Sequence, residues 1–160
     1  MDSFVHYCYI CQNFFDLFSK ACEYGIRAAI YIAGQSAQNR RVGLKEVAQE
    51  IDSPEAYTSK ILQKLVKGEI IISEKGPTGG FLIEAAKLSK TTLASVVIVI
   101  DGDSIFQRCG LGLKQCNESK PCPLHYKFKD VRENLKMILE ETTIEELSEK
   151  TEVGLGFLKM

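Results

Sequence analysis

Between Leu44 and Glu84 the chain is punctuated in a way that leaves few folds open. Leu44, Val47, Ala48 and Ile51 recur at helical spacing, and Asp52, Ser53 and Pro54 then break the pattern. Ser53 is a good N-cap and Pro54 a good first helical residue. A helix is expected from there to about Lys67, with Tyr57, Ile61, Leu62 and Leu65 inward and Gly68 as its stop. Two short strands are expected at 70–74 and 80–84, joined by the Gly/Pro turn KGPTGG. Upstream, Cys22, Ile26, Ile30 and Ala33 mark the buried stripe of a first helix over 19–38. Helix, short helix, turn, helix, hairpin is the order of a winged helix-turn-helix. The alternative for that order is a small α+β domain with no DNA role.

The second half reads differently. Leu93, Val96, Val97 and Ile100 suit a helix over 91–100, although the β-branched run VVIVI could pass for a strand. Helix is favoured by the spacing and the Ser/Thr-rich start. A glycine-rich cysteine loop fills 101–121. A long helix is expected over 123–141, where Leu124, Phe128, Val131, Leu135 and Ile138 form a heptad seam fit for pairing with another helix. Thr143 and Glu146 make a capping box for a last short helix, and the tail from Thr151 looks loose. The expected class is mainly α with a small β-hairpin wing, a winged helix-turn-helix plus a long dimerisation helix. Its divisions are an N-terminal extension (1–17), a DNA-binding domain (18–90), a loop and dimerisation helix (91–150) and a tail (151–160).

Composition narrows the setting. The 160 residues are 45% hydrophobic and 26% charged, ordinary for a soluble globular protein. No apolar run reaches the roughly 20 residues of a membrane span, so no membrane partner is expected. The N-terminus lacks the basic start of a signal peptide. A cytoplasmic location follows, where cysteines stay reduced and serve as ligands or sensors. Net charge is −1, but it is unevenly spread. Residues 18–90 carry 11 Lys/Arg against 8 Asp/Glu, whereas 91–160 carry 9 against 11. The mildly basic segment is the one that reads as the DNA-binding domain.

On the expected recognition helix, Ala56, Ser59, Lys60, Gln63, Lys64 and Lys67 face outward. Small and polar groups near its start could reach base edges, with lysines on phosphates. A plain solvated face is the competing reading. In the wing turn, Lys75 could enter a minor groove and Thr78 could join it at the DNA surface, unless the hairpin is only a tight turn. In the loop, Cys109, Cys116 and Cys122 are spaced C-x6-C-x5-C, and His125 follows after two residues. Soft thiolates suit iron–sulfur clusters. The gaps are too long for a CxxC zinc knuckle, and they fit a loop wrapping a larger group. Zinc on three Cys and one His, and metal-free thiols sensing peroxide, stay open. So does His125 as a mere surface residue.

The segments FSKACEYGIRAAIYIA and LKEVAQEIDSPEAYTSKILQKLVKGEIIISEKGPTGGFLI, together with the three cysteines, resemble the Rrf2 family of winged-helix regulators, which includes IscR and NsrR. The resemblance spans about residues 18–150. It implies a homodimer on double-stranded promoter DNA, with a long helix from each subunit crossing the other. It also implies an iron–sulfur cluster, two-iron two-sulfur in many members, on Cys109, Cys116 and Cys122. The first Cys–Cys gap here is one residue longer than in the best-known members. His125 matches a family histidine ligand. Glu23 falls where other members place an acidic ligand reaching from the partner subunit, and is the lesser candidate for the fourth position. Ser59 and Lys60 differ from the Glu and Gln of IscR, so its recognition sequence does not transfer. Lys75 replaces an arginine, which weakens bidentate base contact.

The first 17 residues fall outside the resemblance and contain Cys8 and Cys11 as CYIC. A mis-set start near Leu17 is one reading, and a designed role for the CxxC pair is disfavoured. Cys22, on the apolar stripe, reads as a small core residue. No nucleophile–base pairing or phosphate loop points to an enzyme. The expected function is a transcriptional regulator, repressor or activator, sensing iron–sulfur, redox or nitric oxide status. The alternative is a cluster-free member responding through thiols, zinc or a ligand.

Overall fold

The computed structural model describes residues 17–152 and 156–158. Cys8 and Cys11 lie outside them. The elements run α1 (Lys20–Ala37), α2 (Leu44–Glu50), α3 (Glu55–Lys67), β1 (Ile72–Glu74), β2 (Gly80–Leu82), α4 (Ala85–Leu88), α5 (Leu93–Asp101), a short 3₁₀ turn (Ser104–Phe106), α6 (His125–Glu141) and α7 (Ile144–Glu152). This is the mainly helical architecture with a two-stranded wing that the sequence pattern implies.

Helix α1 is the hub, packing against α2, α3, α5 and α7. Ser19 caps it, its Oγ accepting from the Cys22 N–H at 3.1 Å. The core is drawn from all these helices: Ile32, Ile51, Ile61, Leu62, Leu65, Val96, Val97 and Ile144 are fully buried. Each such side chain contributes about 1.5–3 kcal/mol through burial. Cys22 is buried among them, as its place on the stripe implies.

Three local expectations are corrected. Ser53 is not the N-cap of α3, and Pro54 is not its first helical residue: Pro54 occupies the cap position and the helix starts at Glu55. Asp52 adopts a left-handed φ of 52°, and the Ser53 N–H bonds back to the Ala48 carbonyl at 3.0 Å. That turn buries the Ser53 Oγ, which has no hydrogen-bond partner among the described residues. Tyr57 is not inward but exposed, stacked edge-on against Tyr24 at 5.7 Å, and Thr58 takes the buried position. The strands are shorter than 70–74 and 80–84. The N–H groups of Ile70 and Ile71 turn back to the Leu65 carbonyl, and the Ile83 N–H donates to the Ser36 Oγ of α1. Those groups cannot also form a ladder.

The hairpin pairs Ile72 with Leu82, Ser73 with Phe81 and Glu74 with Gly80. Val42 bridges to Phe81 through bonds of 3.1 and 2.8 Å, tying the wing to the loop before α2. VVIVI is helical, with the Thr92 hydroxyl capping α5 by accepting from the Ser95 N–H. The Thr143 hydroxyl accepts from the Glu146 N–H at 3.2 Å, as the capping box implies. The described part of the tail is less loose than expected, for the Leu158 carbonyl accepts from Arg27 at 3.3 Å. No helix among the described residues is long and apolar enough to cross a membrane.

Candidate functional site

The cysteine loop hangs from α5 and is held by one face of α6. It leaves α5 at Gly102, whose φ of 80° with open space around a would-be Cβ makes it a natural hinge. Cys109 and the turn to Gly112 follow, with the Gly112 N–H on the Cys109 carbonyl at 2.9 Å. The chain rejoins helix at His125, whose N–H bonds to the Cys122 carbonyl at 2.9 Å.

His125, Phe128, Lys129 and Arg132 are spaced i, i+3, i+4, i+7, so they share one face of α6. Each grips the loop. Phe128 lies against Gly110, where an added Cβ would come within 2.3 Å of the ring. Lys129 pairs with Glu118 at 2.5 Å. Arg132 donates to the Arg108 carbonyl at 3.1 Å and to the Cys116 Sγ at 3.4 Å. His125, Lys129 and Arg132 wall a cavity of about 870 Å³ that Cys109 and Cys116 also line.

The sulfurs sit in two pairs. Cys109 and Cys122 are 3.9 Å apart, and Cys116 lies 3.3 Å from His125 Nδ1. Among the described residues no three His, Cys, Asp or Glu side chains converge on one ion-sized position. The N–H groups of Leu111 and Leu113 donate to Cys109 and hold its thiol below the ordinary range, with smaller help from Cys122 and the Arg132 charge. His125 is not a surface residue, as one reading of the sequence had it: it is 2% exposed. Its Nε2 is buried with no hydrogen-bond partner among the described residues, a costly state for a polar nitrogen. Three soft sulfurs and an orphaned imidazole nitrogen are a donor set that suits a soft metal or a cluster. Glu23 stands apart within this chain, in the first turn of α1 and paired with Lys20 at 2.8 Å.

Sequence reading missed Arg132. The signal available was its place two turns after His125 on the same helix face. Cys22 is of a different kind, for burial and then the nearby Asp101 charge push its thiol up to about 12, keeping it protonated and inert.

Outside the loop, α3 and the wing offer a polar surface. Ala56, Lys60, Gln63 and Lys67 are exposed, and Ser59 is half-buried. At the hairpin tip Lys75 and Thr78 are exposed. Gly79 cannot be replaced freely, since a Cβ there would lie 2.3 Å from the Glu74 carbonyl oxygen. Lys64 is exposed as well, and its Nζ donates to the Ile100 carbonyl of α5 at 3.3 Å.

The family model described as Rrf2, an iron-dependent transcriptional regulator, matches residues 18–150. The transcriptional regulator NsrR of Oceanobacillus iheyensis is 23% identical over 140 residues, 87% of this chain and 94% of the relative. The regulator IscR of Photorhabdus laumondii is 25% identical over 130 residues, 81% of this chain and 77% of the relative. Among solved structures, CymR, the global cysteine regulator of B. subtilis, superposes with a TM-score of 0.68 at 20% identity, covering 82% of this chain and 95% of that one. That likeness shows a shared fold.

Proposed function

This chain belongs to the Rrf2 family of transcriptional regulators, and we propose that it senses iron–sulfur, redox or nitric oxide status through a cluster on Cys109, Cys116 and Cys122. His125 supplies the fourth ligand. The observation that carries this reading is the buried, unpartnered Nε2 of His125, a residue that lines the same cavity as Cys109 and Cys116 and meets Cys116 through Nδ1. A structural histidine would be expected to satisfy that nitrogen. Bound there, a two-iron two-sulfur group would supply an electron store and a target for oxygen or nitric oxide. The chain's own residues do the rest. Arg132 and Lys129 hold the loop to α6, the Leu111 and Leu113 N–H groups stabilise the Cys109 thiolate, and burial keeps water from His125.

DNA contact is assigned to Ala56, Ser59 and Lys60 on α3 and to Lys75 and Thr78 on the wing. The protein would act as a homodimer, because Tyr126, Val131, Met137 and Ile138 of α6 are 48–63% exposed. Glu23 from the partner subunit is the lesser fourth-ligand candidate.

A second reading has its own observation. The Cys109 and Cys122 sulfurs are 3.9 Å apart, near enough to meet each other directly. A cluster-free member responding through thiols, zinc or a ligand would also present them so. Protein purified without oxygen separates the two. The cluster reading expects a brown sample with iron and sulfide, and absorption lost in Cys116→Ala. A colourless sample without iron overturns it and leaves the thiol or zinc form.

A further inference from the structure

Lysines on a recognition helix are ordinarily assigned to phosphates, and by position Lys64 is one of them. At about 100° per residue it sits on the flank of α3 next to buried Ile61, away from the face centred on Ala56, Gln63 and Lys67. Its ammonium donates to the Ile100 carbonyl at 3.3 Å. That carbonyl belongs to the last turn of α5, where carbonyls lack intrahelical partners and a cation is favoured. The last helical bond of α5 runs from the Gly102 N–H to the Ile98 carbonyl at 3.0 Å, so the Ile100 carbonyl lies beyond the ladder.

The same turn of α5 is held against α1 and α3, while Ile98 on its far side is exposed. Asp101 accepts from the Ser19 N–H at 2.9 Å and from the Ser19 hydroxyl at the cap of α1. A Cβ on Gly25 of α1 would lie 2.0 Å from Ile100, and one on Gly68, at the end of α3, 2.5 Å from Val99. The Ile100 and Val99 side chains thus fill the space that a side chain on Gly25 or Gly68 would need, so a shift of α5 towards α1 or α3 would press on their backbones. One residue later comes the Gly102 hinge and the cysteine loop.

We propose that Lys64 is a positioning residue, not a DNA contact: it ties the recognition helix to the root of the cysteine loop, so that a change in the loop reaches α3 through the last turn of α5. This rests on the regulator reading but not on the presence of a cluster, since any change in the loop would be transmitted.

The test is Lys64→Met, which keeps length and removes the donor, beside Lys67→Met. The probe is a 30-base-pair duplex selected from a random pool for tightest binding, titrated across a range of salt concentrations. A phosphate contact contributes about 0.9 to the slope of log affinity against log salt, hence nearly two units for a dimer. Lys64→Met is expected to weaken binding about threefold or more with the slope unchanged. A slope reduced by one to two units, or no change in affinity at all, overturns the proposal. A second arm combines the variant with Cys116→Ser. Independent sites give fold-effects that multiply, whereas here the Cys116→Ser effect should shrink at least about threefold in the Lys64→Met background. If the two effects multiply, the transmission role is wrong. If Cys116→Ser alone does nothing, the loop-sensing function itself has failed, and the salt slope still decides whether Lys64 touches DNA.

Discussion

The body from α1 to α5 and the half made of the cysteine loop and α6 are built on opposite terms. In the body, apolar stripes from each helix meet in one core, and side chains such as Ile32, Leu62 and Val97 are wholly buried. In α6 only His125 and Leu139 are buried, while Val131 and Ile138 are 60% and 57% exposed. The loop is mostly exposed apart from Cys109, and its sulfurs pair off without a common centre. Among the described residues the body leaves one buried side-chain group unsatisfied, the Ser53 Oγ. The other half carries apolar and sulfur groups with no complete use inside one chain, the condition of a surface that receives something.

That contrast can be broken by mutation. The largest effect should come from the body: Leu62→Ala removes a fully buried side chain and should cost about 2–5 kcal/mol of unfolding free energy in urea. A cost below 1 kcal/mol would mean that the core is not the closed unit described. Ile138→Asp on α6 should leave far-UV helicity intact but weaken self-association at least about tenfold by sedimentation. Unchanged association would remove α6 from the dimer interface. The smallest effect concerns Cys22. Its thiol is pushed up to about 12 from 9.0, so the protonated form is favoured by folding. That contribution is complete below pH 9 and falls as pH rises toward 12. Cys22→Ala should therefore flatten part of the loss of Tm with pH in that window, and an identical pH profile would show that the thiol is not held protonated.

The contrast also explains what the sequence could and could not reveal. Helical spacing of Leu44, Val47, Ala48 and Ile51 identified α2 because the body's core is contiguous, and each stripe has a partner. The same rule named the Leu124–Ile138 seam but could not say that Phe128 turns to the loop, because the Gly110 contact depends on tertiary approach. Ser53 was misread because a left-handed Asp52 redirects the chain, and propensity does not carry that. The three cysteines and His125 were legible from spacing. The burial of His125, the pairing of the sulfurs and the grip of Arg132 were not, since all three follow from how α6 lies on the loop.

In this protein the state of the cysteine loop is expected to set DNA affinity. This is tested most directly by titrating one selected duplex with anaerobic protein before and after iron is removed by a chelator, with Cys116→Ala alongside. Coupling of the usual strength predicts a change of about 5–150-fold on removal, with the Cys116→Ala protein already at the iron-free value. Identical affinity in all three samples would contradict it, leaving a DNA-binding body whose cysteine loop reports to something other than DNA.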